Sequence, residues 1–148
     1  ELCKKNWPSN LPIGLIHGDV FPDNVFFNKN KVSGVIDFYF SCTDIIVYEL
    51  AIAINAWCFD KNDIFYPKKA SNLISGYNSK RTLSNAEFDN LSILSQGAAL
   101  RFLLTRLYDW FNTPKEILIT KKNPTEYLNK LRFFKNNVLL NQIDLKNI

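Results

Sequence analysis

Methionine is absent from the 148-residue chain, and histidine occurs once, at position 17. A Met-free chain that opens on Glu1 is not expected to be a whole translation product, so a processed protein or a fragment is expected. Cysteine is scarce and odd in number: Cys3, Cys42 and Cys58 show no C-x-x-C spacing. That excludes a disulfide framework and a cysteine metal knuckle, and it fits reduced thiols in a cytoplasmic protein. Long apolar runs are missing too. The longest, residues 45–59, is interrupted by Glu49 and Asn55 and falls short of the ~18 residues a membrane span needs. No apolar core follows Lys4-Lys5, so a signal peptide is not expected. Despite a net charge of +4, the densest basic groups are the pairs Lys4-Lys5, Lys68-Lys69 and Lys121-Lys122. A nucleic-acid partner would call for a cluster on one face, so none is expected.

What the chain does have is apolar bulk. With 47% hydrophobic and 22% charged residues, it can bury one core, and residues 1–148 read as a single domain. Residues 1–12 look irregular around Pro8 and Pro12. The run from Ile13 to Ile16 is β-prone, as are Val25 to Phe27 and Val32 to Ile36. The last two flank the polar turn Asn28 to Lys31 and form a hairpin. Helix is expected from about residue 43 onward: Asp44 to Phe59, apolar nearly all round; Lys69 to Tyr77; a segment starting at the capping box Ser84-Asn85-Ala86-Glu87, breaking near Gly97 and resuming to Phe111; and Asn123-Pro124 to about Leu140. The fold class expected is α+β, a short β-ribbon feeding four to five mostly buried helices.

The informative residues are His17-Gly18-Asp19-Val20-Phe21-Pro22-Asp23-Asn24, followed by Val35-Ile36-Asp37-Phe38. Reduced to chemistry this is Asp-x4-Asn-x12-Asp, with the first pair in a loop and the last Asp at the end of a hairpin strand. Phosphoryl transfer needs one carboxylate to orient the attacking hydroxyl and two oxygen ligands for magnesium. A loop followed by a hairpin meets that need, because the returning strand brings Asp37 back beside Asn24. Asp and Asn are common turn residues, so Asp-x4-Asn alone is weak. The preceding His17 and the following Ile36-Asp37-Phe38 make it far more restrictive. The Asp19 to Asn24 spacing is that of the protein-kinase catalytic loop.

His-Gly-Asp in place of His-Arg-Asp resembles the aminoglycoside phosphotransferase and choline kinase superfamily, whose members phosphorylate small molecules. The resemblance implies a protein-kinase-like C-terminal lobe with Asp19 as catalytic base. It makes Asn24 and Asp37 magnesium ligands, and His17 a structural brace of the loop. Mg2+ and ATP as phosphoryl donor follow from it. Without the Arg of His-Arg-Asp, regulation by a phosphorylated activation loop is not expected.

Several later stretches, among them Tyr48 to Cys58, Gly76-Tyr77-Asn78, Gly97 to Phe102, Arg106 to Trp110 and Asn123 to Leu128, resemble the homoserine kinase branch of that superfamily. The match runs from about Leu11 to Phe134. It implies ATP and L-homoserine as substrates and a place in threonine biosynthesis. Homoserine is a zwitterion, so a cation and an anion are sought near the acceptor. Arg101 lies in a largely apolar helix and stands equally as a carboxylate receptor or as an internal salt bridge to Asp44 or Glu49. Asp44 is read as a helix cap or as negative charge near the acceptor. Arg106 is paired with Asp109, and Trp57, Phe102, Tyr108 and Trp110 are read as core.

No Gly-rich loop and no strand lysine precede Pro12, so the N-terminal nucleotide-binding lobe is absent and is expected in cis or from another chain. Two alternatives stand beside a homoserine kinase. One is a phosphotransferase for another small hydroxyl substrate, aminoglycoside or choline-like. The other is a non-catalytic remnant of a kinase lobe acting as a binding module. An exposed apolar face is expected where a missing lobe docks.

Overall fold

The computed structural model describes residues 2–114, 121–136, 139 and 143. Two small antiparallel ribbons precede a helical body. The first joins β1 (Ile13–Ile16) to β4 (Cys42–Ile45), with Gly14 opposite Asp44 and Ile16 opposite Cys42. The second joins β2 (Val25–Asn28) to β3 (Lys31–Val35). Lys29 and Asn30, at φ 46° and 64°, make the two-residue turn between them, the left-handed conformation whose twist matches that of a hairpin. Because β1 and β4 are neighbours, the chain leaves at Ile16 and returns at Cys42 on the same end of one ribbon. Residues 17–41 therefore form a single excursion with the β2–β3 hairpin at its centre, and that topology gathers the three motif residues.

A short helix, α1 (Leu2–Asn6), precedes the ribbons. The body consists of α2 (Tyr48–Trp57), α3 (Pro67–Asn78), α4 (Asn85–Asp89), α5 (Leu91–Asn112) and α6 (Thr125–Asn136). α5 packs against both α2 and α6. Leu50, Ile54, Ile74, Leu91, Leu94 and Tyr127 fill the space between them, each at most 2% exposed; burying an aliphatic side chain of this size contributes roughly 1.5–3 kcal/mol. A buried amide ties the layers. The Asn55 side chain donates to the carbonyls of Ala51 (2.9 Å) and Ser95 (3.0 Å), and the Asn55 backbone carbonyl accepts from Lys130 Nζ at 2.8 Å.

The α+β architecture matches the sequence expectation, with corrections. Cys42–Ile45 is a strand rather than the start of a helix, because its β-branched residues pair with β1, and α2 starts only at Tyr48. Asp44 is consequently no helix cap: its Oδ1 accepts the adjacent Ile45 N–H at 2.7 Å. The capping box at Ser84 is present, with Ser84 Oγ accepting the Glu87 N–H and Glu87 the Ser84 N–H. The helical break falls at Asn90 rather than Gly97. Gly97 serves a close approach instead: a Cβ there would lie 2.2 Å from the Trp7 ring. Residues 2–6 are helical rather than irregular. The expected end of the last helix, beyond Asn136, falls largely outside the described residues. Tyr108 and Trp110 are exposed, not core.

Candidate functional site

The single histidine organises the excursion. His17 Nδ1 accepts the Asp19 N–H at 3.2 Å, which leaves the proton on Nε2 to be donated to the Ile36 carbonyl at 2.9 Å. The next peptide continues the link, with Ile36 N–H donating to the Asn24 carbonyl at 3.0 Å. Loop and returning strand are thus stitched side by side, and Asp37 follows at once. Asp37 sits in the left-handed region (φ 63°, ψ 63°), which an Asp tolerates better than bulkier residues.

Asn24 is buried, and its amide nitrogen is committed to Asp19: Nδ2 donates to the Asp19 carbonyl at 2.8 Å and to Asp19 Oδ2 at 3.0 Å. Its amide oxygen remains as an acceptor. The Asp37 carboxylate is exposed and makes no hydrogen bond or ion pair among the described residues. An amide oxygen and a free carboxylate are the hard oxygen donors that suit magnesium, which takes one or two protein ligands and completes its shell with phosphate and water. No three His, Cys, Asp or Glu side chains among the described residues form a metal cage of their own. Burial pushes the Asp19 carboxyl above the usual range, opposed by its Asn24 bond and by the charges of Lys122 and Arg101.

Three side chains of the helical body fix the loop, and an exposed lysine adds a surface pair. At the start of α2, Glu49 Oε2 accepts the backbone N–H of His17 and that of Gly18, the latter at 3.0 Å. At the end of α2, Trp57 Nε1 donates to the Val20 carbonyl at 2.7 Å. From α5, Arg101 donates to the Gly18 carbonyl at 2.8 Å. Ahead of α6, Lys122 pairs with Asp23 at 2.9 Å. Gly18 itself is required by its backbone: φ is +76°, and a Cβ would lie 2.7 Å from the Phe40 carbonyl oxygen.

A cleft of about 250 Å³ opens beside Asp19, lined also by Arg101, Arg106, Asp109 and Lys122. Asp44 does not line it. Arg101 pairs with neither Asp44 nor Glu49. Its partner is the loop carbonyl, and it stacks on Phe102 at 4.8 Å. Arg106 is paired with Glu126 at 2.5 Å rather than with Asp109. Glu126 also takes Lys130 at 2.6 Å, and Lys130 is 3% exposed. Burial pushes the Glu126 carboxyl up, but the two cations outweigh it and hold the group below the usual range.

Sequence reasoning placed His17, Asp19, Asn24 and Asp37 in one loop-and-hairpin unit, and the structure brings them together. It missed Glu49 and Lys122. Glu49 carried a signal, since an acid inside an otherwise apolar run must find partners when buried.

Residues 1–81 match the Phosphotransferase enzyme family (APH). Over 127 residues the chain is 55% identical to a homoserine kinase of Rhizobium johnstonii, covering 86% of this chain and 40% of that protein. A homoserine kinase of Brucella anthropi is 54% identical over 130 residues, covering 88% and 40%. One of Brucella canis is 51% identical over 133, covering 90% and 41%. The chain thus spans about two fifths of the length of these curated relatives. No helix among the described residues is long and apolar enough to cross a membrane. On the match across more than half its length, the chain belongs to the APH phosphotransferase enzyme family.

Proposed function

We propose that this chain is the catalytic lobe of a homoserine kinase, moving the γ-phosphoryl group of ATP to the hydroxyl of L-homoserine, a step of threonine biosynthesis in the cytoplasm. The observation that carries the reading is the Asp19–Asn24 pair, braced by His17 against the strand that delivers Asp37. Asp19 orients the acceptor hydroxyl and takes its proton, a role helped by a carboxyl raised above the usual range. Asn24 and Asp37 would hold magnesium, which when bound offsets charge on the phosphates. The homoserine kinase names of relatives above 50% identity support the acceptor.

The donor site is completed by a second lobe that these 148 residues do not supply. Its docking face is the ribbon end, where Leu15, Phe38 and Tyr39 are 80%, 61% and 86% exposed. An apolar face of this kind is expected to be covered, and the greater length of the relatives supplies the chain to cover it.

The test is ADP release from Mg-ATP by the complete protein carrying this chain, with L-homoserine, choline and an aminoglycoside as acceptors. Turnover that depends on homoserine supports the assignment. Preference for choline or the aminoglycoside moves the acceptor elsewhere, and silence with all three, upstream lobe present, leaves a binding module.

A further inference from the structure

The cleft beside Asp19 carries more charge than phosphoryl transfer uses, and its three cations are not equivalent. Arg101 donates to the Gly18 carbonyl and belongs to the loop. Arg106 is bound to Glu126 with its side chain only 10% exposed. Lys122 is bound to Asp23 where the two side chains are 56% and 61% exposed. A pair so open to water contributes little, so Lys122 can change partner cheaply. The one acid in the cleft besides Asp19 is Asp109, which is exposed and makes no ion pair among the described residues.

Aromatic rings line the cleft as well, and Phe21, Phe40 and Phe102 together suggest a cage for a cationic ligand. Their faces are already taken. Arg101 stands 4.8 Å from the Phe102 centroid and 5.9 Å from that of Phe40, and Lys122 stands 5.3 Å from that of Phe21. A ligand ammonium on those faces would meet like charge. The volume of about 250 Å³ is small beside the ~300–1,000 Å³ typical of sites for drug-sized ligands.

Position along α5 separates the two ends of the cleft. Arg101, Thr105 and Asp109 recur every four residues on one helical face, each step rising about 6 Å. Arg101 reaches the residue beside Asp19, so Asp109 lies at the far end. Lys122 stands nearer the Asp19 end, since its charge acts on the Asp19 carboxyl more strongly than that of Arg101, and it lines the same cleft as Asp109.

We propose that the cleft beside Asp19 holds a head-group subsite for a zwitterion: Lys122, leaving Asp23, receives the carboxylate of the acceptor, and Asp109 receives its ammonium. The inference rests on the reading of Asp19 as the residue that orients the acceptor hydroxyl. Both residues determine specificity and neither takes part in the bond exchange.

The experiment compares kcat/KM for L-homoserine with that for L-homoserinamide, which lacks the carboxylate charge, and for 4-hydroxybutanoate, which lacks the ammonium. It uses the complete protein. Each lost charge contact is expected to cost the wild type about 10- to 100-fold. Lys122→Gln should collapse the first ratio and spare the second, Asp109→Asn should do the reverse, and Lys122→Arg should keep both. Calorimetry without ATP gives an independent reading, with Asp23→Asn expected to tighten homoserine binding by freeing Lys122. A wild-type ratio retained in Lys122→Gln overturns this proposal alone. Wild-type protein that phosphorylates no acceptor overturns the kinase reading, and this proposal with it.

Discussion

Gly18 and Glu49 are joined by a 3.0 Å hydrogen bond from the glycine N–H to the carboxylate, across 31 residues of sequence. The carbonyl of the same glycine is held by Arg101 from α5. One peptide ahead of Asp19, the backbone is therefore gripped at both polar groups by two helices that also pack against each other. The loop owes its shape to the helical body, and the consequences can be measured.

Glu49→Gln keeps the shape of the side chain but weakens two bonds to backbone N–H groups, since bonds to charged groups are worth about 1.5–3 kcal/mol and neutral ones roughly half that. The fold should survive. The catalytic carboxylate should shift by a fraction of an ångström, lowering kcat about tenfold or more with little change in the KM for homoserine. Steady-state kinetics beside a thermal melt checks this: a rise in KM alone, at unchanged kcat, contradicts a positioning role.

Gly97→Ala sets two effects against each other. Alanine is the better helix former by about 1 kcal/mol, but its Cβ would fall 2.2 Å from the Trp7 ring. A ring cannot yield that much in place, so Trp7 must leave its edge-on contact with Tyr48 and α1 must detach. The expected result is red-shifted tryptophan emission that disappears in a Trp7→Phe background, with net stability unchanged or reduced.

The Glu126 carboxylate holds Arg106 and the buried Lys130 together. Glu126→Gln leaves the Lys130 charge without its counterion and should cost about 3 kcal/mol in chemical denaturation. The pH dependence has a definite sign. The folded-state pKa of Glu126 lies below its unfolded value, so the contribution is fully present above the unfolded value, near 4.5, and is lost as pH falls through the folded one. Stability of the wild type should decline below about pH 4.5 more steeply than that of the variant; equal slopes contradict the assignment.

How much of this was legible in the sequence follows from how local each feature is. The Asp19, Asn24 and Asp37 constellation, the hairpin with its Lys29-Asn30 turn and the capping box at Ser84 are all written within a few residues of where they act. The strand β4 was read as helix because its partner β1 lies far back in the sequence, Ile13 opposite Ile45, and no local periodicity reports a distant pairing. The same holds for Arg106: Asp109 is near in sequence, but Glu126 of α6 is near in space. Arg101 seemed to need an acid, and the partner turned out to be a backbone carbonyl, a choice side-chain chemistry alone does not indicate.

The central claim is that Asp19 orients a hydroxyl for phosphoryl transfer. Phosphorus NMR of the complete protein with Mg-ATP and L-homoserine tests it most directly, by following a phosphate monoester and ADP as they form. The account predicts that the wild type accumulates O-phosphohomoserine and that Asp19→Asn, with an unchanged melting profile, loses at least about 100-fold of the rate. A folded Asp19→Asn protein that makes the same monoester at the wild-type rate would contradict it.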